Sequence, residues 1–316
     1  MGKSIPGIHH VTAIAGDPQR NLDFYAGVLG LRLVKLTVNF DDPGTYHFYY
    51  GDAQGHPGSI LTFFPWPGAQ KGRAGAGQVR TTAFSIPVHS GDYWAGRLRE
   101  HGAVIEEHAR FGARVLKFAD PDGLKLELIA GQDSREGWEG GPVPAGQAIR
   151  GLYGVTLSEE GYERTAKLLV ETMGFRQTNE EGNRFRFETG AGGPGATVDV
   201  ECSPDLGPGR VAVGSVHHVA WRTPGREDQA AWHDEIAKAG LNVTPVIDRR
   251  YFESIYYREP GGVLFEIATD PPGFAIDEPQ ERLGSQLMLP PWLEPHRAKL
   301  EHALPRLRLP ALAKGA

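Results

Sequence analysis

Gly7-Ile8-His9-His10-Val11-Thr12-Ala13 and Ser215-Val216-His217-His218-Val219-Ala220-Trp221 hold one pattern twice. Each is a short β-prone run around an adjacent histidine pair. Each leads through a turn into a helical stretch. The second histidines stand 208 residues apart (10 to 218), and the leucines closing the helical stretches 210 apart (Leu31 to Leu241). Two nearly equal offsets mark an internal repeat.

The first copy defines the unit. After a strand at 8–14, Gly16-Asp17-Pro18 supplies an N-cap with proline at the first helical position. Leu22, Phe24, Tyr25, Val28 and Leu29 recur at helical spacing, and Gly30 closes the helix. Extended runs follow at 31–38, 46–51 and 59–64, parted by Asp41-Asp42-Pro43-Gly44 and Gly55-His56-Pro57-Gly58. The order is β-α-β-β-β, and it reads three more times. From Thr81 come a strand to 88, a helix at 94–101 and strands at 115–118 and 124–130. From Arg150 come a strand to 157, a helix to 173 and strands at 185–188 and 196–201. From Ser215 come a strand to 222, a helix to 239 and strands near 243–247, 254–257 and 263–269. The phrases Asp120-Pro121-Asp122-Gly123-Leu124-Lys125-Leu126-Glu127 and Glu259-Pro260-Gly261-Gly262-Val263-Leu264-Phe265-Glu266 align without a gap.

The expected fold class is α+β, four βαβββ modules forming two paired domains. Modules 1 and 2 span 5–131, and modules 3 and 4 span 148–270. A polar, Gly/Pro-rich linker at 132–147 joins them. A tail at 271–316 holds a short helix at 296–303.

Composition agrees. The 316 residues include 42 Gly and 24 Pro, glycine being well above its usual share, while 40% are hydrophobic and 23% charged. Ordinary apolar content with so many turn formers points to short elements joined by tight turns, not to disorder. A net charge of −6 without a polybasic run gives nucleic acid or an anionic membrane no electrostatic footing. The lone cysteine, Cys202, excludes an intrachain disulfide framework and fits a reducing compartment. The N-terminal stretch lacks an apolar signal core, and no run is long enough to span a membrane. The expected location is cytoplasmic. The oligomeric state stays open, a homo-oligomer included.

Equivalent positions can be read across the modules. At the first-strand place stand His10, an apolar stretch near Ala83 and Phe84, Gly154, and His218. At the last-strand place stand Thr62, Glu127, Asp199 or Glu201, and Glu266. His10, His218 and Glu266 form a two-imidazole, one-carboxylate set, the ligand set of a facial triad that leaves open positions on the ion. One carboxylate leaves a divalent ion net positive, suited to an anionic phenolate. Strand alternation lets one histidine of each pair face the metal, and the alignment selects the second. His47, His56, His89, His101, His108, His233, His296 and His302 lack repeat support and read as surface or loop residues. Glu127 reads as a remnant of the repeat, salt-bridged or exposed. Gly190-x-Gly192-x-x-Gly195 has dinucleotide-loop spacing but precedes a strand, so it reads as a hairpin loop.

Four such modules with this ligand set resemble the vicinal-oxygen-chelate superfamily of glyoxalases, extradiol dioxygenases and bleomycin-resistance proteins, over about residues 5–270. Within it, His9-His10-Val11-Thr12, His217-His218 and Tyr251-Phe252-Glu253-Ser254-Ile255-Tyr256 ahead of Glu266 look like the ring-cleaving hydroquinone dioxygenases. The resemblance implies metal ligation by His10, His218 and Glu266, with Fe(II) or else Mn(II). It implies catalytic and substrate-contacting roles for His9, Thr12, His217, Arg249 and Tyr256, with Arg249 and its neighbour Arg250 both open. It implies a small aromatic diol and O2 as substrates. Gly154 departs from the ordinary extradiol catechol enzymes, whose ligands come from the third and fourth modules. Two alternatives remain. One is a glyoxalase-like metal-dependent isomerase or thiol transferase, from which Thr62 departs at the place of a further ligand. The other is a non-enzymatic protein that sequesters a ligand.

Overall fold

In the computed structural model, residues 4–310 are described. Ile8–Ala15 (β1) is buried along its whole length, which is why its sequence, IHHVTAIA, is nearly free of charge. Asp17 caps the next helix, its carboxylate accepting from Arg20 N at 2.8 Å, with Pro18 in the first turn. Pro18–Leu22 (α1) runs into a π-helical turn, Asp23–Val28, and Gly30 at φ +69° ends it. A Cβ on Gly30 would lie 2.6 Å from Val143 Cγ2, so the linker valine packs where only glycine leaves room. Arg32–Asn39 (β2), Asp42–Gly51 (β3) and Ile60–Pro65 (β4) complete the module.

The other modules repeat the order, as the sequence predicts. The second is Gln78–Pro87 (β5), Gly91–Glu100 (α2), Glu106–Arg110 (β6), Ala113–Ala119 (β7) and Lys125–Gly131 (β8). The third is Gly151–Glu159 (β9), Glu163–Lys167 (α3), Arg176–Glu181 (β10), Arg184–Glu188 (β11) and Thr197–Cys202 (β12). The fourth is Ser215–Thr223 (β13), Arg226–Lys238 (α4), Ile247–Asp248 (β14), Glu253–Arg258 (β15) and Leu264–Thr269 (β16). Strands β6 and β10 escape a sequence reading because EEHAR and RQTNEE are mostly exposed and show no apolar alternation.

The modules pair out of chain order. One eight-stranded sheet runs β14-β15-β16-β13-β1-β4-β3-β2 and joins modules 1 and 4; the other runs β10-β11-β12-β9-β5-β8-β7-β6 and joins modules 2 and 3. The expected pairing of 1 with 2 and 3 with 4 is therefore corrected: each chain-order half, 5–131 or 148–270, gives one module to each sheet. The repeat reveals which strands are equivalent but carries no information on which become neighbours. In the first sheet β1 and β13 are antiparallel at the centre, each flanked by a parallel last strand, β4 or β16. A pseudo-two-fold axis thus passes between β1 and β13.

The tail straps the first sheet. Met288 N donates to Leu36 O at 2.9 Å beside β2. Fully buried Lys35 is held by Asp277 and Glu278, and Phe274 packs on Tyr49 and Tyr251. The expected short helix is Arg297–Ala303 (α5). Residues 311–316 of the tail, like 1–3, lie outside the described residues. No described helix is long and apolar enough to cross a membrane.

Between modules 3 and 4, Thr165 Oγ1 lies 2.6 Å from both Glu159 Oε2 and Glu259 Oε2. One hydroxyl proton serves one carboxylate, so the pair keeps a proton of its own. Burial and the neighbouring Glu259 push Glu159 up to about 8. The folded protein holds that proton and the unfolded chain releases it above the ordinary carboxylate range. Stability is therefore expected to fall as pH rises from about 4.5 to about 8, by up to about 1.4 kcal/mol per pH unit. Urea unfolding across that range, compared with Glu159→Gln, isolates the effect; the variant should show a flatter profile.

Candidate metal centre

Both histidine pairs sit on β-bulges. In the β1–β13 ladder Ile8 faces Trp221 and His10 faces Ala220, so His9 is the extra residue on β1. Thr12 faces His218 and Ala13 faces Val216, so His217 is the extra residue on β13. A bulge locally breaks the strict alternation of a strand and re-aims its side chains. Adjacent imidazoles can therefore meet: His9 Nδ1 lies 2.9 Å from His10 Nδ1, and His217 Nδ1 lies 2.8 Å from His218 Nδ1.

The second histidine of each pair reaches across the pseudo-two-fold axis. His10 Nε2 and His218 Nε2 are 3.3 Å apart, and Glu266 Oε2 lies 3.4 Å from the first and 2.9 Å from the second. Glu266, on β16 opposite Ala220, is fully buried, and the Ser254 hydroxyl donates to its other oxygen. These three form the His/Cys/Asp/Glu cluster of metal-binding geometry found among the described residues.

The donor set fits a divalent ion. Bonds of about 2.0–2.2 Å put ligands at right angles about 3 Å apart, close to the spacings here. Glu266 Oε2 is buried without a hydrogen-bond partner. With a proton on Nδ1 of His10 and of His218, each given to the Nδ1 of the neighbouring histidine, both Nε2 lone pairs point inward. His9 and His217 thus fix the tautomers. Electrostatics agree. Burial lowers His218 despite Glu266, and burial with the His218 neighbour pushes His217 down to about 3.

A cavity of about 380 Å³ opens in front of the triad. His10, Thr12, His217, His218, Arg249 and Tyr256 line it, as the sequence places them. Buried His9 lies behind His10, against the Phe252 ring. Arg249, not Arg250, faces the cavity. Its Nε lies 3.2 Å from the Tyr256 hydroxyl and its terminal nitrogen 2.8 Å from Asp41, whereas Arg250, at φ +68°, turns to Asp277. His47 is a correction. Expected on the surface, it lines the cavity from β3, bonded to Thr62 and Tyr49. Extending the repeat through Tyr46-His47-Phe48-Tyr49 and Glu253-Ser254-Ile255-Tyr256 sets it opposite Ser254, an unlike residue type that gives no signal of the equivalence in the sequence. The other seven unassigned histidines are exposed or half-buried, as expected. Trp292 of the tail packs edge-on against Phe40, another cavity residue.

The glyoxalase/bleomycin resistance protein/dioxygenase superfamily model matches residues 7–128 and 155–267. The chain belongs to this superfamily. It is 49% identical over 305 residues to "Putative ring-cleaving dioxygenase MhqO" of Bacillus subtilis (strain 168), covering 96% of this chain and 97% of that protein. It is 36% identical to the chlorohydroquinone/hydroquinone 1,2-dioxygenase of Sphingobium indicum over 93% and 94% of the two chains. A Bacillus subtilis crystal structure superimposes with a TM-score of 0.94 at 48% identity, covering 98% of this chain and 100% of that one. Glyoxalase I from Zea mays shares the fold at a TM-score of 0.61 and 16% identity, over 84% and 92% of the chains.

This chain repeats one module, and the second sheet shows what the frame becomes without imidazoles. Its bulges fall at Arg80 and Tyr153. Thr81 therefore stands at the place of His10, two residues before the expected Ala83, and Gly154 stands at the place of His218. Glu127 pairs with Ala83 and Asp199 with Thr156, which selects Asp199 over Glu201 as the counterpart of Glu266. Both carboxylates are neutralised by arginine. Arg110 makes two 2.7 Å bonds to Glu127, and Arg186 Nε lies 2.7 Å from Asp199. Glu127 is salt-bridged, one of the two expected states, and buried. The Gly190–Gly195 stretch joins β11 to β12 as a hairpin loop. Arg110→Ala would strand a buried carboxylate and is expected to cost about 3–5 kcal/mol. Denaturant unfolding checks this, and the metal content of the variant should equal that of the parent.

Proposed function

We propose that the protein is a metal-dependent ring-cleaving dioxygenase that inserts O2 into a hydroquinone-type aromatic diol. His10, His218 and Glu266 are the ligands in this reading, and Fe(II), with Mn(II) as the alternative, is the ion. The supporting observation is the triad split between modules 1 and 4, which leaves one side of the ion's place facing the cavity. Relatives of 36–49% identity over nearly the whole chain carry the names of a ring-cleaving dioxygenase and of a chlorohydroquinone/hydroquinone dioxygenase. Thr62 stands where module 4 carries Glu266, and its hydroxyl is taken up by Thr12. Module 1 thus offers no carboxylate as a further ligand, which favours O2 chemistry over glyoxalase-type isomerisation.

When bound, the metal supplies a positive centre that acidifies a phenolic hydroxyl and passes electron density from the ring to O2. The chain's own residues do the rest. Tyr49, Phe64 and Phe252 give the cavity aromatic walls for a planar ring. Arg249 holds a fixed positive charge over the Tyr256 ring, where it offsets negative charge on substrate oxygen. His217, accepting at Nδ1, keeps its proton on Nε2 at the cavity wall and can donate it to a bound oxygen. Tyr256 adds a hydroxyl on the same side, its own ionisation pushed up by burial and by Glu266.

Metal analysis is expected to find about one Fe or Mn per chain, lost in His218→Ala. An oxygen electrode should record uptake with hydroquinones. If anaerobic iron reconstitution yields no uptake with any diphenol, the reading is wrong. A thiol-dependent, O2-independent activity would instead favour the isomerase.

A further inference from the structure

The module 1 wall of the cavity carries a row of hydrogen bonds with no assigned role. Tyr49 pairs with Thr62 across β3–β4, and Tyr256 pairs with Glu266 across β15–β16. The pseudo-two-fold axis therefore sets His47 where module 4 has Ser254, and Thr62 where it has Glu266. In module 4 the Ser254 hydroxyl donates to Glu266. In module 1 the matching contact is His47 Nε2 to Thr62 Oγ1, at 2.9 Å. The row extends both ways: the Tyr49 hydroxyl lies 2.9 Å from His47 Nδ1, and Thr62 Oγ1 lies 2.9 Å from Thr12 Oγ1. Tyr49, Thr62 and Thr12 are all buried.

Proton bookkeeping orients the row. Tyr49 has a buried O–H, and His47 Nδ1 is the acceptor it meets among the described residues. A buried donor without an acceptor is costly, so Tyr49 donates to Nδ1. A neutral imidazole that accepts at Nδ1 carries its proton on Nε2. That proton goes to Thr62 Oγ1, and the Thr62 proton goes on to Thr12 Oγ1. Thr12 has then accepted, and its own proton has no acceptor among the described side-chain hydrogen bonds. Thr12 lines the cavity beside His10.

We propose that His47 is a positioning residue, and that the row Tyr49–His47–Thr62–Thr12 holds the Thr12 hydroxyl as a one-way donor to a substrate oxygen. The dioxygenase reading enters only in naming that oxygen as phenolic; the row stands without it. Module 1 has thus turned its counterpart of the metal carboxylate into a device for substrate orientation.

The first test needs no metal. In uniformly 15N-labelled apo-protein at pH 7, the His47 signals, identified by their loss in His47→Gln, should show the Nε2–H tautomer. Thr62→Val should shift them. An Nδ1–H tautomer or an imidazolium overturns the proposal. The second test uses metal-loaded enzyme and hydroquinone. His47→Gln and Thr62→Val should each lower kcat/KM by about tenfold to a hundredfold at unchanged metal content. Thr62→Ser should restore it to within about threefold of the parent. The double variant should lose no more than the worse single one, because both break the same row. Additive losses, or a His47→Gln enzyme within about twofold of the parent, overturn the proposal. If the parent enzyme takes up no O2 with any diphenol, the dioxygenase reading fails while the tautomer measurement still decides the row.

Discussion

The antiparallel pairing of β1 with β13, bulged at His9 and His217, is the constraint on which the rest depends. It brings residues 208 positions apart into one ladder. It lets two imidazoles meet across the pseudo-two-fold axis at 3.3 Å. A regular ladder would send neighbouring histidines to opposite faces; the bulges keep each pair in contact, so that one ring can orient the other. The parallel partner β16 then carries Glu266 to the same point, and the turn Glu259-Pro260-Gly261-Gly262 sets its register. The burial that removes water from this point lowers His218 and, together with the His218 neighbour, His217, which keeps those two rings neutral.

The two sheets put one frame to different uses. All four first strands bulge at the same place, at His9, Arg80, Tyr153 and His217. The first sheet spends the equivalent positions on His10, His218, Glu266 and Thr62. The second spends them on Thr81, Gly154, Asp199 and Glu127, whose charges are taken by Arg186 and Arg110. A buried carboxylate needs a positive partner, and a metal or a guanidinium can serve. The same geometry therefore yields a cluster that could hold a metal ion in one sheet and an internal salt-bridge network in the other.

Much of this was legible in the sequence, for identifiable reasons. The four βαβββ modules showed because apolar runs and their turns recur at matching offsets. The His10–His218–Glu266 set showed because it is the one place where both imidazoles and a carboxylate occupy equivalent positions. Strands β6 and β10 did not show, because exposed charged strands carry no alternation. His47 did not show either. Its module 4 counterpart is a serine, so residue type hid the equivalence that the strand register makes plain. The second-sheet position was misread by two residues, at Ala83 in place of Thr81, because a bulge shifts side-chain direction without leaving a mark in composition.

The sequence by itself determined the module, its count and the chemistry available at each repeated position, because periodicity and residue type are local properties of the chain. Only the tertiary structure decided that module 1 pairs with 4 and module 2 with 3. It alone chose Arg249 over Arg250, made Glu127 a partner of Arg110, and placed His47 in the cavity wall. Those outcomes depend on which strands become neighbours and where a ladder bulges. Such long-range pairings are settled by burying all four modules at once, and no single module encodes them.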